Sequence, residues 1–186
     1  MLETAALLAR ATIRRMREGD AELVRSWRNS DRVRPSMINT HFITPDIHIQ
    51  WVQSVLEEPT CEYWIFEYDH APAGLVYFTH IDERAADCRW GFYLGATGLP
   101  RGIGTAMGYL ALQHLFGTRG ICRINADVLE NNTASLAMHR KLGFRDFGDP
   151  DVTDDGRVIR HMQLLRQEWY LVSKSLINHP AEGVGT

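Results

Sequence analysis

Residues 89–116 place a strand, a glycine-punctuated loop and a helix in immediate succession, and this unit constrains the chain more than any other segment. Arg89-Trp90-Gly91-Phe92-Tyr93-Leu94 reads as the strand. Leu99-Pro100-Arg101-Gly102-Ile103-Gly104-Thr105-Ala106 follows as the loop, and Met107 to Phe116 as the helix. Two glycines at the mouth of a helix leave backbone N–H groups bare and pointing one way. The first amides of a helix lack partners and the helix dipole adds partial positive charge, so such a mouth suits phosphate. Arg101 adds a full charge.

Two common phosphate loops are excluded. No lysine follows either glycine, as a P-loop requires, and residue 107 is Met where a dinucleotide fingerprint needs a third small residue. What stands here is Arg101-x-x-Gly104-x-Ala106. A second unit follows. Ile121 to Val128 alternates as a strand. Glu130 to Phe144 then reads as a helix capped by Asn and closed at Gly143, with Asn132, Ser135 and His139 on one face.

The loop resembles the pyrophosphate loop (Q/R-x-x-G-x-G/A) of the acetyl-CoA-dependent N-acetyltransferase (GNAT) superfamily. The helix resembles that superfamily's Asn-capped helix ending in K-x-G-F, here Lys141-Leu142-Gly143-Phe144. The resemblance implies an α+β fold with a mixed, mostly antiparallel sheet, flanking helices and a V-shaped cofactor cleft. It implies acetyl-CoA as cofactor, with the pyrophosphate on the amides of Gly102, Ile103, Gly104, Thr105 and Ala106, and with side-chain contacts from Arg101 and Thr105. It further implies that the pantetheine arm adds to the backbone of Phe92, Tyr93 and Leu94, and that Asn132 and Ser135 face the cofactor.

For catalysis the resemblance implicates His139, which stands where many relatives place a tyrosine acid. An unperturbed imidazole is roughly a quarter protonated at pH 7. The alternative is a histidine that only packs at the cleft wall. Strand 88–94 lacks the glutamate that many relatives use as base, so an ordered water is expected there, held by Tyr93 or Thr79.

Trp27-Arg28-Asn29, Arg32, Arg34, His48-Ile49-Gln50-Trp51, Glu62-Tyr63-Trp64 and Gln167-Glu168-Trp169 are similar to the branch that acetylates nucleotide sugars, in the manner of the pseudaminic-acid pathway acetyltransferases. The implied acceptor is the 4-amino group of a UDP-linked amino-dideoxy sugar. Arg28 and Arg32 are then the diphosphate ligands, and His48 and Thr79 line the acceptor site. Two alternatives remain open at this point. One is acetylation of protein N-termini, with Glu62 and Glu67 facing the substrate ammonium. The other is an acyl-CoA-binding sensor without turnover.

Composition bounds the rest. A chain of 186 residues, 45% hydrophobic and 23% charged, suits one globular domain, expected over residues 12–170. A net charge of −3 gives no basic field for nucleic acid, and no apolar run approaches the ~20 residues of a membrane span. The expected partner is therefore a small-molecule amine, with neither nucleic acid nor membrane; a homodimer is allowed by the resemblance. Cys61, Cys88 and Cys122 form no C-x-x-C pair and no H-E-x-x-H occurs, so no metal site is expected and reduced thiols point to the cytoplasm. Residues 1–11 are expected to form a leader outside the fold, and 178–186 a disordered tail.

Overall fold

The computed structural model describes residues 4–178. Its elements are α1 (Thr4–Leu8), β1 (Ala11–Arg15), α2 (Ala21–Asn29), α3 (Pro45–Glu57), β2 (Glu62–Tyr68), β3 (Ala71–Asp82), β4 (Asp87–Leu94), α4 (Ile103–Thr118), β5 (Arg123–Leu129), α5 (Thr133–Lys141), β6 (Arg145–Asp146), β7 (Asp151–Val152), β8 (Val158–Leu165) and α6 (Arg166–Asn178). The strands form one sheet in the order β1-β2-β3-β4-β5-β8-β6, with β7 also on β8. All pairings are antiparallel except β4 with β5.

Side-chain alternation sends successive residues of a strand to opposite faces. Ile65, Leu75 and Tyr93 pack with Val24, Trp27 and Val52 of α2 and α3. Their neighbours Phe66 and Val76 face the other way, toward α4 and α1. Helix α4 is apolar nearly all round because it is enclosed: Ala106, Met107, Ala111, Leu112 and Leu115 are fully buried. The β2–β3 hairpin turns on Asp69 and His70, both at positive φ, as a two-residue turn of the sheet's twist requires. Pro72 sits in β3 opposite Glu67, at a bulge where a residue without an N–H is tolerated.

One expectation is corrected, and two local features are set by tertiary contacts. Residues 4–11 are not a leader outside the fold, because α1 carries the fully buried Leu7 against Ile103, Ala106 and Met107; residues 1–3 and 179–186 lie outside those described. Asp20 precedes α2 but does not cap it with its side chain. Its carboxylate receives Arg14 at 2.8 Å through both terminal nitrogens, together with the Arg17 amide, charge-assisted bonds stronger than a cap. β6 is only two residues long and follows Phe144, which is drawn into the core.

Candidate active site

Strands β4 and β5 pair only through Asp87↔Arg123, Cys88↔Ile124 and Arg89↔Asn125. Beyond that point β4 runs on to Leu94 and β5 to Leu129 without pairing, and a V-shaped cleft opens between them. The Gly95 amide donates to Ala73 O at 2.8 Å. Antiparallel alternation then commits Tyr93 and Gly91 to β3 and turns the backbone groups of Leu94, Phe92 and Trp90 into the cleft. Of the three residues expected to meet the pantetheine arm, Phe92 and Leu94 therefore present their main chain and Tyr93 does not.

At the cleft mouth α4 begins. Gly102 stands at its N-cap with φ +94°, a conformation that any Cβ would strain. Ile103 N donates to Pro100 O, and Thr105 N and Ala106 N to Gly102 O, so these bonds leave out the amides of Gly102 and Gly104. Ile103 and Ala106 turn their side chains into the core. Arg101, Gly102, Gly104 and Thr105 line the cleft with Phe92, Leu94, Asn132, Ser135 and Met138.

Helix α5 forms the opposite wall. Asn132 Oδ1 accepts the Ser135 amide at 3.1 Å, the expected cap, and Gly143 takes φ +98° at the far end. His139 lies one turn beyond Ser135 and is buried among Trp90, Phe92 and Phe144. Its Nδ1–H donates to Ser135 O at 2.8 Å. Burial pushes its pKa down to about 4, against a smaller upward pull from that carbonyl. A neutral imidazole whose Nδ1 proton goes to the backbone fits the packing alternative for His139. Tyr93 is buried, and burial raises its phenol well above the ordinary range, so it stays protonated and supplies no base.

Deeper in, two cavities adjoin the cleft. A central one of about 280 Å³ is lined by Arg28, Met37, Tyr77, Trp90, Asp127 and His139, among others. An aromatic one of about 370 Å³ lies between α2, α3 and the sheet, lined by Arg28, His48, Trp51, Tyr63, Tyr77 and Tyr93 among others. His48 stacks on Trp51 at 4.9 Å. Arg28 belongs to both cavities. Arg157 reaches from the β7–β8 turn to Met37 O and Ile38 O at 3.0 and 2.7 Å, tying down the segment that roofs the central cavity.

Polar groups in these walls lack partners. Arg28 Nη1, Trp90 Nε1 and both ring nitrogens of His48 are buried without a hydrogen bond. The Ala21 backbone lies near enough to His48 to favour its charged form, but burial outweighs this and holds the ring below its ordinary pKa. An orphaned buried donor costs about 1–3 kcal/mol; Arg28 and Trp90 line the central cavity, and Arg28 and His48 the aromatic one. Among the described residues Asp127 is the one carboxylate in the walls, and it is already paired with Arg89 and with His161 at 2.8 Å.

Other predicted residues lie elsewhere. Arg32 Nη2 donates to Leu94 O, Gly95 O and Ala96 O, which places it in the cofactor cleft rather than the acceptor cavities. Thr79 lines neither cavity; its hydroxyl faces His80 at a β3 irregularity. Glu62 is buried with Arg119 at 3.0 Å and Arg15 and His114 at 3.1 Å, and Glu67 is bound by Arg14 at 2.7 Å, so neither is free for a substrate ammonium. Tyr77 was not singled out from sequence. The available signal was a tyrosine and a glycine, Gly91, spaced to face each other across a hairpin.

Residues 10–145 match the family model for the acetyltransferase (GNAT) domain. No curated protein matches by sequence. Among solved structures, spermidine N-acetyltransferase from Vibrio cholerae, in complex with CoA and spermine, superposes with a TM-score of 0.79 at 14% identity. The match covers 87% of this chain and 99% of that one. The aminoglycoside acetyltransferase AAC(6')-Ib, in complex with coenzyme A, gives 0.73 at 20% identity, covering 87% and 98%. A protein from Bacillus halodurans gives 0.77 at 14%, covering 89% of each. The mixed sheet, its flanking helices and the β4–β5 cleft are thus the GNAT fold.

Proposed function

The chain belongs to the GNAT acetyltransferase family and is an acetyl-CoA-dependent N-acetyltransferase; we propose that its acceptor is the amine of a nucleotide-linked amino sugar, the 4-amino group of a UDP-linked amino-dideoxy sugar. One observation carries this reading. The acceptor cavities offer an unpartnered arginine nitrogen, an unpartnered indole N–H and a stacked, neutral histidine, among aromatic rings and with no free carboxylate.

Spermine and aminoglycosides, bound by the neighbours described above, are polycations, and a polycation is poorly received by a wall whose uncompensated charge is Arg28. A nucleotide sugar brings the complementary features. Its diphosphate meets a guanidinium, its uracil edge has donors and acceptors for His48, and its flat faces suit Trp51 and Tyr63. Acetylation of protein N-termini is less favoured, because Glu62 and Glu67 are bound by arginines away from the cavities.

On the cofactor side, Arg101 and the free amides of Gly102 and Gly104 hold the pyrophosphate. The cleft-facing backbone of Phe92 and Leu94 aligns the arm, and a β4 amide serves as oxyanion donor, a contribution of about 3 kcal/mol. The test is release of CoA thiol against a panel of UDP-amino sugars, polyamines and N-terminal peptides. Turnover of the sugars alone supports the reading, and turnover of peptides or polyamines in preference to them rejects it.

A further inference from the structure

Tyr77 and Gly91 are register partners across the β3–β4 ladder. A Cβ built on Gly91 would lie 2.3 Å from both Cζ and Oη of Tyr77 and 2.7 Å from Cε2. The phenol therefore lies flat across β4, over the residue that faces it, and only glycine at position 91 leaves room. Tyr63 stacks on the outer side of the ring at 5.5 Å and 19°. The hydroxyl end is thereby held over β4 next to Trp90 and Phe92, whose backbone groups border the cleft. Tyr77 lines both the central and the aromatic cavity, and the central cavity shares Phe92, Asn132 and Ser135 with the cofactor cleft.

From the loop at Gly102–Ala106 an arm laid along β4 passes Leu94, then Phe92, then Trp90. From Leu94 to Trp90 the strand spans about 13 Å, so an arm laid along it would run past Gly91. Tyr77 brings a phenol proton to that point. Burial keeps the phenol above its ordinary pKa, while the Arg28 charge works in the opposite direction and Asp127 adds to the rise.

We propose that Tyr77 is the proton donor to the departing thiolate. The proposal rests on the acetyl-transfer reading above and adds the residue that completes it. The acceptor nitrogen bonds to the acetyl carbon and the C–S bond breaks, its electron pair passing to sulfur. Tyr77 gives its O–H proton to that sulfur. The proton shed by the nitrogen as it becomes an amide returns to the phenolate oxygen, so the residue ends the cycle unchanged. Arg28, on the same cavity wall, steadies the transient negative charge. His139 then has no acid role to fill.

The experiment compares two leaving groups. Native protein and Tyr77→Phe are mixed with acetyl-CoA or with its selenoester analogue, whose selenolate departs without a proton, and transfer to the best amine of the acceptor panel is followed in a single turnover. Tyr77→Phe keeps the ring and its stacking, so acetyl-CoA affinity should stay native. The thioester rate should fall about a hundredfold, and the selenoester rate should fall by no more than about threefold. If Tyr77→Phe folds poorly, Gly91→Ala is read instead: its methyl displaces the ring and should give the same split. Equal losses with both leaving groups, or an unchanged thioester rate, overturn the assignment. Failure of the native protein to bind acetyl-CoA would count against the acetyl-transfer reading itself, and calorimetry on the same samples separates the two.

Discussion

Leu7 packs against Gly102: a Cβ on the glycine would stand 3.3 Å from the leucine's Cδ1. The short first helix thus braces the loop at the start of α4 from beneath, through a side chain that is fully buried. Truncating a buried leucine costs about 2–5 kcal/mol. Leu7→Ala should lower the midpoint of thermal unfolding by several degrees and weaken acetyl-CoA binding, although residue 7 touches no ligand. Calorimetric affinity that stays native in a destabilised Leu7→Ala would show that the brace does not shape the loop.

Arg32 binds three carbonyls at the end of β4 and lines the cleft with Arg101. Its charge should therefore act on the cofactor. Arg32→Ala is expected to raise the KM for acetyl-CoA about tenfold and to leave the KM for the acceptor within twofold. Acetyl-pantetheine, which has no pyrophosphate, should be used equally well by both proteins. A change confined to the acceptor KM would return Arg32 to the acceptor side.

Burial of His139 gives stability a pH dependence. Its folded pKa of about 4 lies below its ordinary 6.5 because the ring is buried. The unfolded chain binds the proton more readily, so the stabilisation is complete above pH 6.5 and is lost as pH falls from 6.5 through about 4. The loss amounts to roughly 3 kcal/mol, at about 1.4 kcal/mol per pH unit. Denaturant titrations from pH 7.5 to 4 should show this slope in the native protein and a shallower one in His139→Phe, whose kcat should stay within threefold. A tenfold fall in kcat with an unaltered slope would point to the catalytic role.

Where local sequence decided local structure, the chain was legible. The two glycines after strand 89–94, the Asn132 cap and Gly143 mark helix ends by backbone requirements that need no tertiary partner. Other positions depend on partners distant in sequence. Leu7 gains its burial from residues about a hundred positions away, and a five-residue helix has too few turns to show a periodicity. Arg32 finds its carbonyls more than sixty residues on. The neutrality of His139 comes from Trp90, Phe92 and Phe144 on other elements. Tyr77 acquires its position only from the pairing that sets it over Gly91.

Arg28 carries the acceptor reading, because its Nη1 is buried without a partner where the two cavities meet, and the most direct measurement is competition by UDP in native protein and Arg28→Ala. In the native protein, UDP should compete with the acceptor sugar and leave the KM for acetyl-CoA unmoved. In Arg28→Ala, the acceptor KM should rise about thirtyfold, or ~2 kcal/mol for a charge-assisted pair, and UDP inhibition should disappear. Robust turnover of an N-terminal peptide or a polyamine, with no inhibition by UDP and no effect of Arg28→Ala, would contradict the account.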